Sequence, residues 1–259
     1  MKKILTLPGL VLLAIPVAGM ATESLSVGYD YTNYSADHGV KNIVFADLKH
    51  KLDHGAIVVG ISQGNRDYGN GEDFDGTRGR ASLWYDWTPV LSTRTGISLG
   101  TNSPVFVRRE LLNDFNLKLV KNTVLTLGGR HAQYYNNTEV NAWSAGGAFY
   151  TGPLITTYRY TRYDTVGAGN SESHLLSIRL RDMQGNGYTQ IFASTGTGAY
   201  TYDWTPETRN GKLHSLSLKR LQPFTEEVSL VMVFGKQWFD TPVKSYSGIN
   251  GMLGIEWGI

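Results

Sequence analysis

Residues 154–164 read LITTYRYTRYD, and their side chains sort at a period of two. Leu154, Thr156, Tyr158 and Tyr160 share one face, while Ile155, Thr157, Arg159 and Thr161 share the other. That period belongs to a β-strand, whose successive side chains point to opposite sides. A secreted sandwich would turn the oilier face into a core and the arginine to solvent. A membrane barrel would turn the oilier face out into lipid.

The neighbouring segments decide between the two. Short alternating stretches recur from Leu25 to Ile259, about fourteen of them, separated by clusters of Gly, Asn, Asp and Pro. The tight connections are Asp53-His54-Gly55, Thr88-Pro89, Lys121-Asn122, Thr151-Gly152-Pro153, Gln184-Gly185-Asn186-Gly187 and Gln222-Pro223. Longer polar ones fall between them: SADHGVKN, RDYGNGEDFDGTRG, GTNSPVFV, YNNTEV, DTVGAGNSES, TGTGAYTYDWTPETRNG and DTPVKSYSG. Short and long alternate, as in outer-membrane barrels with periplasmic turns and extracellular loops. A Greek-key sandwich would scatter its long crossovers.

The faces agree. One parity carries Val27, Tyr29 and Tyr31, Leu83 and Tyr85, Leu176 and Ile178, Leu230 and Phe234, and Leu253 and Ile255. The opposite parity carries charge, serine and glycine: Asp30, Arg80, Ser177, Arg179, Gly254 and Glu256. Aromatic residues gather near strand ends at Tyr29/Tyr31, Tyr85/Trp87, Tyr158/Tyr160 and Trp257, where a girdle at the lipid interface belongs. The predicted fold is all-β: a closed antiparallel transmembrane β-barrel of about fourteen strands. In hydrocarbon a sheet has to close, because nothing there satisfies an edge strand's backbone groups.

The N-terminus, MKKILTLPGLVLLAIPVAGMA, has a basic start, an apolar run too short to span a bilayer, and small residues before Thr22. It reads as a signal peptide over residues 1–21, leaving 22–259 as one barrel domain. Without Lys2 and Lys3 the basic residues balance the 22 acidic ones, which argues against nucleic acid as a partner. The absence of cysteine removes disulfides and thiolate metal sites.

At GYDYTNYSADHG, LITTYRYTRYD, GTGAYTYDWTPETRNG and KQWFDTP the sequence resembles the YaiO family of outer-membrane proteins. The resemblance runs through essentially the whole predicted mature chain. It implies an outer-membrane β-barrel assembled from the periplasm by the barrel-assembly machinery, in contact with outer-membrane lipid and lipopolysaccharide. It implies no reaction. Such barrels usually end on an aromatic residue; here the last residue is Ile259, with Trp257 two before it.

On the inward parity stand Arg80, Arg94, Arg108, Arg130, Arg159, Arg179 and Arg181. Of these, Arg94, Arg130, Arg159 and Arg179 are expected nearest mid-height. Asp30, Asp47 and Glu256 lie on the first two strands and the last, so a basic wall is expected to face an acidic seam. Guanidinium forks suit carboxylate or phosphate groups on a passing solute, so an anion or acidic saccharide is the candidate cargo. Ion pairs filling a narrow lumen are the alternative, since Asp86, Glu110 and Asp114 stand on the basic side too. Fourteen strands lie between the filled eight-stranded and the water-filled sixteen-stranded barrels.

Enzymatic and metal readings are weaker. His131, His174 and His214 fall on the lipid-facing parity but follow no nucleophile spacing. His50 and His54 straddle a turn, and Glu72, Asp73 and Asp75 in GEDFDG are too few for a calcium loop. No cofactor, metal or reaction is expected, and the barrel is expected to be a monomer. Tyr200, Tyr202 and Trp204 in the longest loop are too large and apolar to leave in water together. They form either a lid or sugar-stacking platform over the mouth, or packing against neighbouring loops.

Overall fold

The alternation read along the chain becomes fourteen strands joined by turns and loops. The computed structural model describes residues 24–184, 186–197, 211–242 and 244–259. The predicted signal segment and Tyr200, Tyr202 and Trp204 lie outside the described residues. The first half comprises β1 (Ser24–Tyr34), β2 (Val40–Leu52), β3 (Gly55–Asp67), β4 (Asp73–Asp86), β5 (Leu91–Gly100), β6 (Arg109–Val120) and β7 (Thr123–Gln133). The second comprises β8 (Glu139–Thr151), β9 (Leu154–Thr165), β10 (Gly169–Arg181), β11 (Tyr188–Thr197), β12 (Lys212–Pro223), β13 (Val228–Asp240) and β14 (Tyr246–Gly258). Each strand pairs antiparallel with its sequence neighbours, and β14 returns to pair with β1 from Ser24↔Gly258 to Tyr34↔Gly248. The sheet is therefore a closed barrel with no free edge.

The turns follow local backbone chemistry. Lys121-Asn122 closes a two-residue hairpin with Asn122 at a φ of 61°, and Gly152-Pro153 closes another with Gly152 at 56°. Asn and Gly tolerate that left-handed region better than other residues. The 182–187 connection is clamped by Arg220, whose Nη1 and Nη2 donate to Asp182 Oδ1 and Oδ2 at 2.7 Å each. Those hydrogen bonds hold the Asp182 carboxyl below the usual carboxylate range.

The connections differ from the sequence expectation in three ways. β12 runs through Gln222 to Pro223, and the turn is residues 224–227. Pairing of β12 with β11 stops at Leu221, so the proline's missing N–H costs no ladder bond. Thr225 Oγ1 then accepts the Val228 N–H at 2.9 Å and caps the turn. Second, the polar stretches are largely strand, because ladder hydrogen bonds do not depend on apolar side chains. Only residues 68–72 join β3 to β4 and only 166–168 join β9 to β10, so at that hairpin the outer loop is shorter than the six-residue 182–187 turn.

The third difference shapes the interior. Residues 101–108, expected as an exterior polar loop, fold into the barrel, where Val105, Phe106 and Val107 are at most 2% exposed. Val105 lies against Gly64 of β3 and Gly76 of β4, where a Cβ would come within 2.9 Å of it. The Arg78 guanidinium sits 4.8 Å over the Phe106 ring. Val107 packs with Ala132, Tyr134, Val140, Ala142 and Tyr163 on the inner wall. Burying each of these side chains contributes about 1.5–3 kcal/mol, which draws the segment inward. A second cluster of Tyr34, Phe239 and Tyr246 lies at the same long-loop end, beside Arg66 at 4.1 Å from the Tyr34 ring and 4.2 Å from Tyr68.

The outer surface is the reverse of a soluble protein's. Ile61 and Phe234 are each 64% exposed, within a band that includes Leu99, Leu111, Leu127, Phe149, Leu218 and Ile255. Tyr31, Trp143 and Trp238 stand toward the long-loop end of their strands, and Tyr85 and Trp257 toward the short-turn end, with Trp87 in the turn after β4. Two aromatic girdles thus bound the apolar band. Leu127→Arg places a charge on that band and is expected to cost about 2–4 kcal/mol in denaturant unfolding from lipid vesicles. Thr126→Arg, one residue away but facing the lumen, is expected to unfold close to wild type; equal losses would contradict the assigned faces. Gly76→Val is expected to push Val105 off the wall and lower the heat resistance of the barrel, read by gel shift, while Gly79→Val, in open space, leaves it unchanged.

Candidate functional site

Closure gathers the inward parity of every strand into one lumen. The register places Arg80, Arg94, Arg130, Arg159, Arg179 and Arg181 on it, with Asp30, Asp47 and Glu256. Arg108 precedes β6 at the long-loop end, where its Nη1 donates to Asn137 Oδ1. Arg94 and Arg159 lie well inside their strands, whereas Arg130 stands toward the long-loop end of β7 and Arg179 toward the short-turn end of β10.

The expected acidic seam is differently arranged. β1 does adjoin both β2 and β14, and Asp30 accepts a hydrogen bond from Asn250 at 2.8 Å. Asp47, however, takes two hydrogen bonds from Arg80, from Nε at 3.1 Å and Nη2 at 2.5 Å. Glu110 accepts from Arg130 at 2.7 Å, and Asp114 accepts from both terminal nitrogens of Arg159 at 3.1 Å each. Much of the basic wall is thus neutralised where it stands.

Two of these pairs bridge strands that are not neighbours, and glycine makes the bridge possible. Asp47 of β2 reaches Arg80 of β4 across Gly60 of β3, where a Cβ would collide with Asp47 Oδ1. Asp114 of β6 reaches Arg159 of β9 across Gly128 of β7, where a Cβ would collide with Asp114 Oδ1 and Ser144 Oγ. A side chain at either glycine would block the path over the wall.

Arg94 is the exception. Among the described residues its guanidinium has no carboxylate partner, its buried Nε has no acceptor, and it lies 5.3 Å over the Trp84 ring. Arg179 donates from Nε to Gln190 Oε1 at 2.9 Å and lies 4.5 Å over Tyr188, again without a carboxylate. Among the described residues two adjoining cavities lie in the lumen, of about 320 and 490 Å³, and Arg94, Leu112, Arg130 and Tyr163 line both. The larger runs from Arg80 and Arg94 on one wall to Ser215 and Gln237 on the other.

Several lining residues escaped the sequence reading. Trp84 shares the parity of Arg80 and Ser82, so its inward position was legible from alternation. Leu112, Leu175 and Leu213 also face in, on the parity of Glu110 and Asp114, of Ser177 and Arg179, and of Ser215; alternation gives their side, but their apolar character hides them among strands whose outward parity is also apolar. The outward histidines have ordinary partners: His131 Nδ1 is 2.8 Å from Asn141 Oδ1, and His174 Nδ1 is 2.8 Å from the Tyr158 hydroxyl. Asp73 accepts from Asn65 at 2.5 Å and Glu72 from Asn70 at 3.2 Å. Among the described residues no group of three or more acids or histidines is placed to hold a metal ion.

Gly128→Val is expected to separate Asp114 from Arg159 and destabilise the barrel by about 1–3 kcal/mol, the usual cost of overpacking. Gly129→Val, whose Cβ meets only the outward Trp143 ring at 3.7 Å, is the control and is expected to unfold near wild type. Denaturant titration followed by tryptophan emission reads both.

Solved structures with this architecture include the CymD monoaromatic hydrocarbon channel, 11% identical, TM-score 0.65, over 93% of this chain and 89% of that one. A bacterial polysaccharide outer membrane secretin is 8% identical, TM-score 0.57, over 93% and 99%. The Acinetobacter baumannii outer membrane protein Omp33 is 8% identical, TM-score 0.51, over 92% and 99%. At such identities the likeness is one of fold. Residues 22–203 match the YaiO membrane beta barrel domain, and with the closed fourteen-stranded sheet and its lipid-facing band this chain belongs to that family of outer-membrane barrels.

Proposed function

We propose that the barrel is a passage for small anionic solutes. The observation that carries this reading is Arg94, a lumenal guanidinium with no carboxylate partner among the described residues, in a cavity that reaches from one wall to the other. Arg80, Arg130 and Arg159 are matched by Asp47, Glu110 and Asp114 and contribute little net field. Arg94 and Arg179 keep no carboxylate among the described residues, and their charge is what these pairs leave uncompensated. In a confined lumen with low-dielectric walls an unmatched charge raises the local concentration of counter-ions.

The inward 101–108 segment and the ion pairs favour a second reading, a structural barrel that does not conduct. The passage reading assigns the protein no reaction, and it is supported by the ordinary partners of His131 and His174. It takes the functional unit as a monomer, exported by the N-terminal signal segment, folded by the barrel-assembly machinery and surrounded by lipopolysaccharide.

Planar-bilayer recording across a potassium chloride gradient tests it. The wild type is expected to conduct with a reversal potential on the chloride side, and Arg94→Ala to move that potential toward zero. Silence, or cation preference, overturns the passage reading in favour of the structural one.

A further inference from the structure

The lumen holds a combination that a water-filled anion passage does not require. Leu112, Leu175 and Leu213 face the same cavity as Arg94, Arg130 and Arg159. Leu112 is the pairing partner of Arg130 across β6 and β7, and it lies over Gly96, where a Cβ would approach its Cγ to 3.0 Å. Gly96 is two residues along β5 from Arg94, so one leucine lies between two guanidinium-bearing positions. Leu175 is the pairing partner of Arg159 across β9 and β10 and is 36% exposed to the lumen. Twice, then, the register sets an arginine beside a leucine on the inner wall.

The polar groups nearby are mostly turned on each other. Ser194 Oγ is 2.6 Å from Ser215 Oγ, and the Tyr163 hydroxyl is 3.3 Å from Ser173 Oγ. Glu110 and Asp114 neutralise two of the three guanidiniums. The chamber therefore carries about one uncompensated positive charge, and its anchor, Arg94, lies 5.3 Å over the Trp84 ring. One positive charge matches a monoanion better than a phosphate dianion. Exposed leucine surface is relieved by an apolar body and not by a hydroxylated one.

We infer that the Arg94 chamber is a binding subsite for organic monoanions with an apolar, planar body, of the chemical class of aromatic carboxylates. The carboxylate takes the Arg94 fork, and the ring lies on Leu112, Leu175 and Tyr163. This rests on the passage reading for the ligand's route, since the chamber lies in the lumen. It adds a selectivity that net charge does not supply: sugar acids of equal charge are disfavoured.

Saturation-transfer NMR on the full barrel in detergent tests the subsite without requiring current, with benzoate, gluconate and benzyl alcohol as probes. Benzoate is expected to receive saturation with millimolar affinity, gluconate to bind at least tenfold more weakly, and benzyl alcohol to report only micelle partitioning. Arg94→Ala is expected to weaken benzoate at least tenfold, and Leu175→Asn severalfold while leaving gluconate unchanged. Gel shift and circular dichroism establish that each variant is folded, with Arg94→Gln in reserve. Equal binding of benzoate and gluconate, or benzoate binding indifferent to Arg94 and Leu175, overturns the subsite. That result leaves anion passage standing, whereas a silent bilayer with intact benzoate binding overturns the passage and not the subsite.

Discussion

Every feature of this barrel depends on one constraint: a strand's N–H and C=O groups have no partner in hydrocarbon except another strand. A sheet with two free edges would leave two rows of such groups unsatisfied, at several kcal/mol each. Pairing β14 with β1 removes both rows. Closure also divides the side chains, because in a closed sheet each parity has only one destination. Leu127 and Phe234 meet lipid, while Arg94 and Arg159 meet each other's neighbours across an enclosed space.

That enclosed space sets the electrostatics. Charges on an open sheet would be solvated singly, but here the inward Asp47, Glu110 and Asp114 are within reach of arginines one or more strands away. Two glycines, Gly60 and Gly128, decide which of those reaches succeed, since any side chain there would occupy the path of the carboxylate. Pairing in turn singles out Arg94. It is distinguished not by its own environment alone but by its neighbours having used the nearby carboxylates. At the long-loop end the same space admits residues 101–108, whose valines and phenylalanine find apolar walls there that the exterior does not offer.

The alternation in LITTYRYTRYD and its counterparts made the strand class, the approximate count, and the parity of Arg80, Arg94, Arg130, Arg159, Arg179 and Arg181 legible, whereas Arg66 and Arg78, on the same inward parity, were not singled out. The lipid interface aromatics were equally visible, although Tyr34, Tyr134, Tyr163 and Tyr246 are inward and belong to packed clusters instead. Less legible were the strand ends. Asp67, Asp73, Asp75 and Gly76, and Asp164, Gly169 and Asn170, look like loop, yet they sit in paired strands, because beyond the bilayer a ladder tolerates any polar residue that keeps its backbone bonds. Gln222-Pro223 marked a turn two residues too early, since a proline at a strand's end need not break it.

The sequence by itself determined the period of two, the oily and polar parities, the turn chemistry at Asn122 and Gly152, and the family to which the whole pattern belongs. These are properties of residues near one another along the chain, where backbone geometry alone relates them. Only the tertiary structure decided that Asp114 neutralises Arg159 from three strands away, that Leu112, Leu175 and Leu213 share a chamber with Arg94, and that 101–108 turns inward. Those relations depend on which positions closure brings to the same height on facing walls. Height is set by register accumulated around fourteen strands, and no local stretch encodes it.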